Sequence, residues 1–362
     1  MKSLVAFMSV AILAVIAVTG VLQAPAGEVT SAAYKVLEPI RHGNLSVFPV
    51  VSAISHDTQG FLTLDEGLRS GEVVVSEYGA VSPLVRPRHP GGQSTLVPGT
   101  GQVNQLVLVN NSKRPLILLA GEIVTGGKQD RVIGKDRIVP AESDPINVAV
   151  FCVEPGRWTG PKMSFNSENA PMAAPTVRAK AMAEKDQQQV WSEVRKAQAG
   201  IAAQVPAPVR SEVGETTSYA KVMQNNAVRE RIDEVAAPIQ HDYQSVIRQL
   251  RDRHAVGVVV AVNGEIIWAD IFASTSLLEK YWPKLVRSYA ADAFVAGAKN
   301  QDVEVKAAQR FLEDLEGRHE MVETEPGLYR HTEVTGDSFK AFELTSLLPK
   351  TGFDLHVAKM AD

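Results

Sequence analysis

Asn263-Gly264 stands between two runs that read as strands, Gly257-Val258-Val259-Val260-Ala261-Val262 before it and Glu265-Ile266-Ile267-Trp268-Ala269-Asp270-Ile271 after it. Branched and aromatic side chains fit a pleated surface, and Asn-Gly accepts the positive φ that both central positions of a two-residue hairpin turn require. Residues 256–273 therefore form a hairpin, and a hairpin this apolar needs other elements to cover it. The chain supplies a cover at once. Ser276-x-x-Glu279 reads as a capping box opening a helix on which Leu278, Trp282, Leu285, Tyr289 and Phe294 recur at helical spacing, with a kink expected at Pro283. Trp268, Tyr281, Trp282 and Tyr289 then make a core between hairpin and helix.

The rest of the chain divides by pattern. Residues 46–52, 72–77, 105–109, 116–120 and 147–153 are short apolar runs bounded by Gly, Pro or Asn, and read as strands. Residues 110–115 look like a hairpin loop between two of them. Thr63-x-x-Glu66 is a capping box for a short helix that Gly71 stops, and the Pro/Gly-rich stretch 85–101 is a long loop placed to cover a cleft. From 176 to 204 the chain is rich in Ala, Gln, Lys and Glu and predicts one long helix; 217–254 predicts a second helical block interrupted at Pro238. A shorter helix over 303–316 ends at Gly317, and 320–359 returns to short strands. Strands and helices follow one another without strict βαβ alternation, which is the α+β class. Residues 27–362 are read as a single integrated α+β domain, with 159–175 and 204–216 as irregular connections.

The amino terminus bears on location. Residues 4–22 carry no charge after Lys2, and Ala24-Pro25-Ala26 places small residues where a signal peptidase reads them. Residues 1–26 are thus an export signal, with an uncleaved membrane anchor as the alternative, since the apolar run is close to the roughly 20 residues that span a bilayer. Either way the globular part is expected outside the cytoplasm, periplasmic or secreted. A single cysteine, Cys152, excludes an internal disulfide framework and a lipid-modified amino terminus. With 37 basic residues against 41 acidic, net charge −4, no general nucleic-acid surface is expected.

Polar groups gather at two strand ends. One stretch is Gly121-Glu122-Ile123-Val124-Thr125-Gly126-Gly127-Lys128-Gln129-Asp130-Arg131, the other Cys152-Val153-Glu154-Pro155-Gly156-Arg157-Trp158. Glycine exposes backbone N–H groups and arginine offers a planar fork, so Lys128, Gln129, Arg131, Arg157 and Trp158 are the candidate ligand-binding residues, for a small anion. The competing reading is a solvated turn with ordinary surface charges. Glu122 and Glu154 form the outline of a hydrolase if one is held protonated and the other ionised; as the alternative, each pairs with a neighbouring arginine and stitches strand ends together. Cys152 lies in a strand apolar on both faces and reads as core. The histidines show no metal-ligand spacing, and no motif names a cofactor.

Gly121-Glu122, Gly126-Gly127-Lys128-Gln129-Asp130-Arg131, Cys152-Val153-Glu154, Gly156-Arg157-Trp158 and the hairpin leading to Trp282 resemble a prokaryotic domain family named for its association with ADP-ribosylglycohydrolase and rhodanese-phosphatase proteins. The resemblance covers about residues 43–297. It implies a single α+β domain and a tie to nucleotide or ADP-ribose chemistry, though an exported copy meets few intracellular nucleotides. Three functions are carried forward: an exported small-anion-binding or scaffold domain with one polar cleft, a hydrolase acting through Glu122 and Glu154 on a phosphorylated, nucleotide-like or sugar substrate, and a structural envelope protein.

Overall fold

The computed structural model describes residues 34–78, 102–158, 164–297, 299, 301–314 and 318–362. The chain runs β1 (Tyr34–Val36), β2 (Ile40–His42), β3 (Leu45–Ser52), β4 (Leu62–Thr63), α1 (Leu64–Ser70), β5 (Val73–Glu77), β6 (Gln105–Asn110), β7 (Leu116–Leu118), β8 (Ile123–Gly126), β9 (Arg131–Ile133), β10 (Arg137–Val139), β11 (Ile146–Cys152) and β12 (Ser164–Asn166). Then come α2 (Pro175–Ala179), a π turn at Lys180–Glu184, α3 (Gln187–Gln204), α4 (Ala207–Gly214), α5 (Tyr219–Gln224) and α6 (Asn226–Gln249). The hairpin β13 (His254–Val262) and β14 (Glu265–Phe272) leads to α7 (Thr275–Ala296) and α8 (Val305–Glu313), and β15 (Arg318–Glu325), β16 (Tyr329–Thr335), β17 (Phe339–Ser346) and β18 (Asp354–Ala361) close the chain. This is an α+β fold.

The hairpin sits near the middle of the larger sheet, which is antiparallel in the order β1-β3-β13-β14-β18-β17-β16-β15 with β2 also on β3. Asn263 and Gly264 take φ of 54° and 80°, the left-handed pair that the turn demands. Every residue of β3 is buried, so both faces of the sheet are covered. Alternate side chains serve two cores. Val47, Val258, Val260 and Trp268 face the large core shared with α6 and α7, whereas Phe48, Val50, Val259 and Ile271 face the core shared with α8.

The remaining strands form a six-stranded closed barrel, β11-β6-β5-β12-β8-β9, and a small sheet β10-β7-β4. Val75, Leu108, Val124, Ile133, Val148 and Phe165 belong to its core. α1 begins at the expected capping box, with Thr63 Oγ1 accepting from Glu66 N–H and Glu66 from Thr63 N–H, and ends on Gly71 at φ 72°.

Several expectations are corrected. The hairpin expected across 110–115 does not form: β6 pairs with β5 and β11, β7 with β4 and β10. The Asn110 amide instead donates to the Arg114 and Pro140 carbonyls, fixing a crossing from barrel to small sheet. The single helix expected over 176–204 is broken at Lys185, which is left-handed at φ 54°, and Asp186 caps α3 by accepting from Gln189 N–H. Residues 204–216 are not irregular throughout, since Pro206 and Pro208 open α4. α6 runs through Pro238 without interruption, with Val228, Ile232, Ala236, Ile239 and Tyr243 holding it on the core. α7 is capped by Ser274, whose Oγ accepts from Leu277 N–H, and not by Ser276. Residues 1–26, the 85–101 loop and Gly317 lie outside the described residues. No helix among the described residues is long and apolar enough to cross a membrane.

Candidate functional site

The pairing of β9 with β11, Arg131 opposite Cys152, draws the two polar strand ends together. Asp130 N–H donates to Glu154 at 3.1 Å, and the Gln129 amide donates to the Glu154 carbonyl at 3.1 Å. Arg157 binds Glu154 at 2.6 Å and Asp130 at 3.6 Å, and donates to the Gly126 and Gly127 carbonyls. Its hydrogen bond to Glu154 raises the guanidinium pKa above the usual arginine value. Ser218, the α5 cap, adds a 2.6 Å bond to Asp130, whose carboxyl is pushed up by burial. Lys128, Gln129, Arg131, Glu154, Arg157 and Trp158 are therefore neighbours, largely bound to one another. Trp158 is half-exposed, with its ring 5.0 Å from Lys128 Nζ and 5.8 Å from the Arg131 guanidinium carbon. Cys152 is buried and its thiol pushed up by that burial, as its apolar strand implies.

Glu122 goes elsewhere. Its carboxylate accepts from Leu119 N–H at 2.8 Å, and burial, then the Asp65 carboxylate, pushes its pKa up to about 8. Glu154 lies among Asp130, Gln129 and Arg157 instead, so the two glutamates do not make one catalytic pair. The reason lies in the turn after β7. Gly121 at φ 97° packs so tightly on Arg178 that a Cβ would lie 2.6 Å from its side chain, and this turns Glu122 inward.

Arg178 belongs to a fully buried network. It makes two 2.9 Å bonds to Asp270, stacks 4.5 Å from the Trp268 ring centroid, and shares Asp270 with the Tyr289 hydroxyl. His356 bridges Asp270 at 3.0 Å and Asp136 at 2.5 Å, and Asp136 accepts from Ala120 N–H at 2.7 Å. Burial opposes the charge on Asp270, but the Arg178 and His356 charges hold its carboxyl well below the carboxylate range. Burial likewise opposes the imidazolium, and the two carboxylates nevertheless raise His356 to about 9. The network ties the turn before β8, the start of the helical block, the large sheet and α7 to one another.

An open cleft of about 950 Å³ lies among α1, residues 166–172, α5, α6 and α7. Arg69, Arg229, Lys280, Lys284 and Arg287 line it against Asp65, Glu168 and Asp233, an excess of two positive charges in a chain of net charge −4. Three of the cations are held: Lys280 by Glu66, Lys284 by Asp65 and Arg287 by Asp233. Arg69 from α1 and Arg229 from α6 carry no carboxylate partner among the described residues. Asn166, Ser167, Asn169, Gln224 and Ser288 add neutral donors and acceptors. Glu122 lies behind the wall, bridged through its backbone to Met172, which lines the cleft. None of the sequence-selected residues lines the cleft itself.

The sequence left the central network unread, yet it carries a signal. Asp270, His356 and Arg178 each interrupt an apolar stretch, and a charge in such a stretch is buried only when partnered.

Residues 33–358 match the ARG and Rhodanese-Phosphatase-superfamily-associated Protein domain (ARPP-1), and the chain belongs to that family. No curated protein and no solved structure matches it.

Proposed function

We propose that this member of the ARPP-1 family is a binding domain for an anionic small molecule seated in the cleft between α1, α6 and α7. The observation that carries the reading is the pair of arginines without a carboxylate partner among the described residues, Arg69 and Arg229, on two elements lining one cavity whose three other cations are already matched. Matched charges gain little from a ligand, whereas a guanidinium held by no carboxylate, as in Arg69 and in Arg229 with its one 3.4 Å bond to Asn226 Oδ1, gives a phosphate or carboxylate two parallel hydrogen bonds. About 950 Å³ is at the large end for small-molecule sites and admits a nucleotide-sized ligand. The anionic ligand foreseen for Lys128, Gln129, Arg131, Arg157 and Trp158 is thereby reassigned to the cleft, because Arg157 is already engaged by Glu154 and Asp130. The domain is proposed to act outside the cytoplasm, on the uncharged 4–22 run ending in Ala24-Pro25-Ala26.

Calorimetry against nucleotides, sugar phosphates and dicarboxylates tests this. At least one compound should bind, and Arg69→Gln with Arg229→Gln together should weaken it by at least tenfold without loss of fold. Undiminished affinity in the double variant places the ligand elsewhere, and silence across the panel returns the chain to the structural reading.

A further inference from the structure

The cleft of about 950 Å³ has two ends, fixed by the ion pairs of its helices. Tyr243 of α6 packs on Trp282 of α7 with ring centroids 4.3 Å apart, and Asp233, earlier in α6, binds Arg287, later in α7, so the two helices run antiparallel. Arg229 lies one turn before Asp233 and hence about 6 Å beyond the level of Arg287. α1 is pinned nearer the other end. Asp65 binds Lys284 and Glu66 binds Lys280, and Arg69 leaves α1 one turn after Asp65. Lys284 precedes Arg287 by three residues, about 4.5 Å of helix, which puts Arg229 about 10 Å along α7 from the point where α1 is held. Both arginines are exposed, so a ligand lying in the cleft reaches them.

Between those ends the cleft offers little to an anion. Lys284 and Arg287 are matched by Asp65 and Asp233, and Glu168, from the 166–172 wall, is a lining acid with no cation paired to it among the described residues. Apolar side chains share the lining: Ile232 on α6, between Arg229 and Asp233, Pro283 on α7, beside Lys284, and Met172 and Met223. A ligand along the cleft thus gains from charge at its two ends and from apolar contact between them. A single phosphate answers one arginine. Two anionic groups on one spacer answer both, and the second then binds from an effective concentration that the spacer length sets.

Resting on the reading of the cleft as an anion site, we infer that its ligand is a bis-anion, two carboxylates or two phosphates joined by an uncharged spacer, with Arg69 holding one end and Arg229 the other. Calorimetry of the full chain with malonate, adipate, sebacate and hexanediol bisphosphate, against hexanoate and hexyl phosphate, tests the spacing and distinguishes carboxylate from phosphate. Adipate, sebacate or the bisphosphate should bind at least tenfold more tightly than the single-headed compound of its kind, and malonate, too short to span, should show no such gain. Arg69→Gln and Arg229→Gln, both at exposed positions, should each reduce the two-headed compound to the affinity of its single-headed counterpart, which either variant keeps within about threefold. Equal affinity of single-headed and two-headed compounds overturns the inference and leaves the anion site standing. So does loss of the single-headed compounds in either variant, which means that both arginines converge on one group. Silence from all six compounds overturns the inference, and the nucleotide and sugar-phosphate panel then decides whether the anion site falls with it.

Discussion

Replacing Asp270 by Asn removes one charge and keeps the shape, so it isolates what the buried network contributes. Asp270 accepts four hydrogen bonds, two from Arg178 and one each from Tyr289 and His356. Asparagine offers a single acceptor oxygen, and its amide hydrogens would confront donors. Arg178 would be left fully buried with no carboxylate bonded to it, against the Trp268 ring. Breaking a buried pair by removing one partner costs about 3–5 kcal/mol, against about 5–15 kcal/mol for the stability of a whole domain. Urea denaturation should therefore show Asp270→Asn unfolding at markedly lower denaturant, with its slope unchanged. Arg178→Met should cost a similar amount, and the two together less than their sum, because the second removal no longer strands a charge. The exposed pair Arg231–Glu234 is the control, worth at most about 1 kcal/mol. A loss below about 1 kcal/mol in Asp270→Asn would refute the argument, since an unmatched buried guanidinium cannot be that cheap.

Two pH-linked outcomes follow from the same interior. His356 is raised from 6.5 to about 9 in the fold, so its contribution is complete below about pH 6.5 and is lost as pH rises through 9; thermal melts should show the melting temperature falling from pH 7 to pH 10, with a flatter profile in His356→Gln. Glu122 is raised from 4.5 to about 8, so the unfolded chain ionises it first and stability is lost as pH rises from 4.5 towards 8; Glu122→Gln should stabilise by about 3 kcal/mol more at pH 8 than at pH 5 in urea titrations, and equal effects at both would contradict the buried, protonated carboxyl.

Fold features written within a few residues of each other were legible. The Asn263-Gly264 turn and the Thr63/Glu66 capping box are local devices whose geometry follows from backbone sterics and one or two hydrogen bonds. The failures lie where a distant contact chose between local options. Lys185 breaks a stretch of good helix formers and enters a left-handed conformation that propensity alone does not foresee, with its ammonium on Glu333 in the large sheet. Pro238 was expected to interrupt a helix, but buried side chains on both sides of it keep α6 continuous. Asn110 marks a turn by composition, and only its bond to the Pro140 carbonyl decides that the chain leaves the barrel there.

The same division separates the two sites. The Arg131 and Glu154 cluster was visible because both halves are contiguous stretches, and one strand pairing suffices to join them. The cleft has no such stretch. Arg69 ends α1, Arg229 begins α6, and Lys280, Lys284 and Arg287 are spaced along α7 as any solvated helix face would be. In sequence those three read as ordinary surface charges. What distinguishes them is which carboxylate each meets. Asp65 and Glu66 come from α1 and Asp233 from α6, and those matches leave Arg69 and Arg229 as the cations with no acid of their own. The anion binding proposed for this cleft thus rests on what remains after the ion pairs between helices are formed, a quantity set by tertiary packing. Glu122 makes the complementary case. The sequence offered it either as one acid of a hydrolase pair or as an ion-pair partner; the structure buries it behind Met172, where desolvation pushes its carboxyl up to about 8.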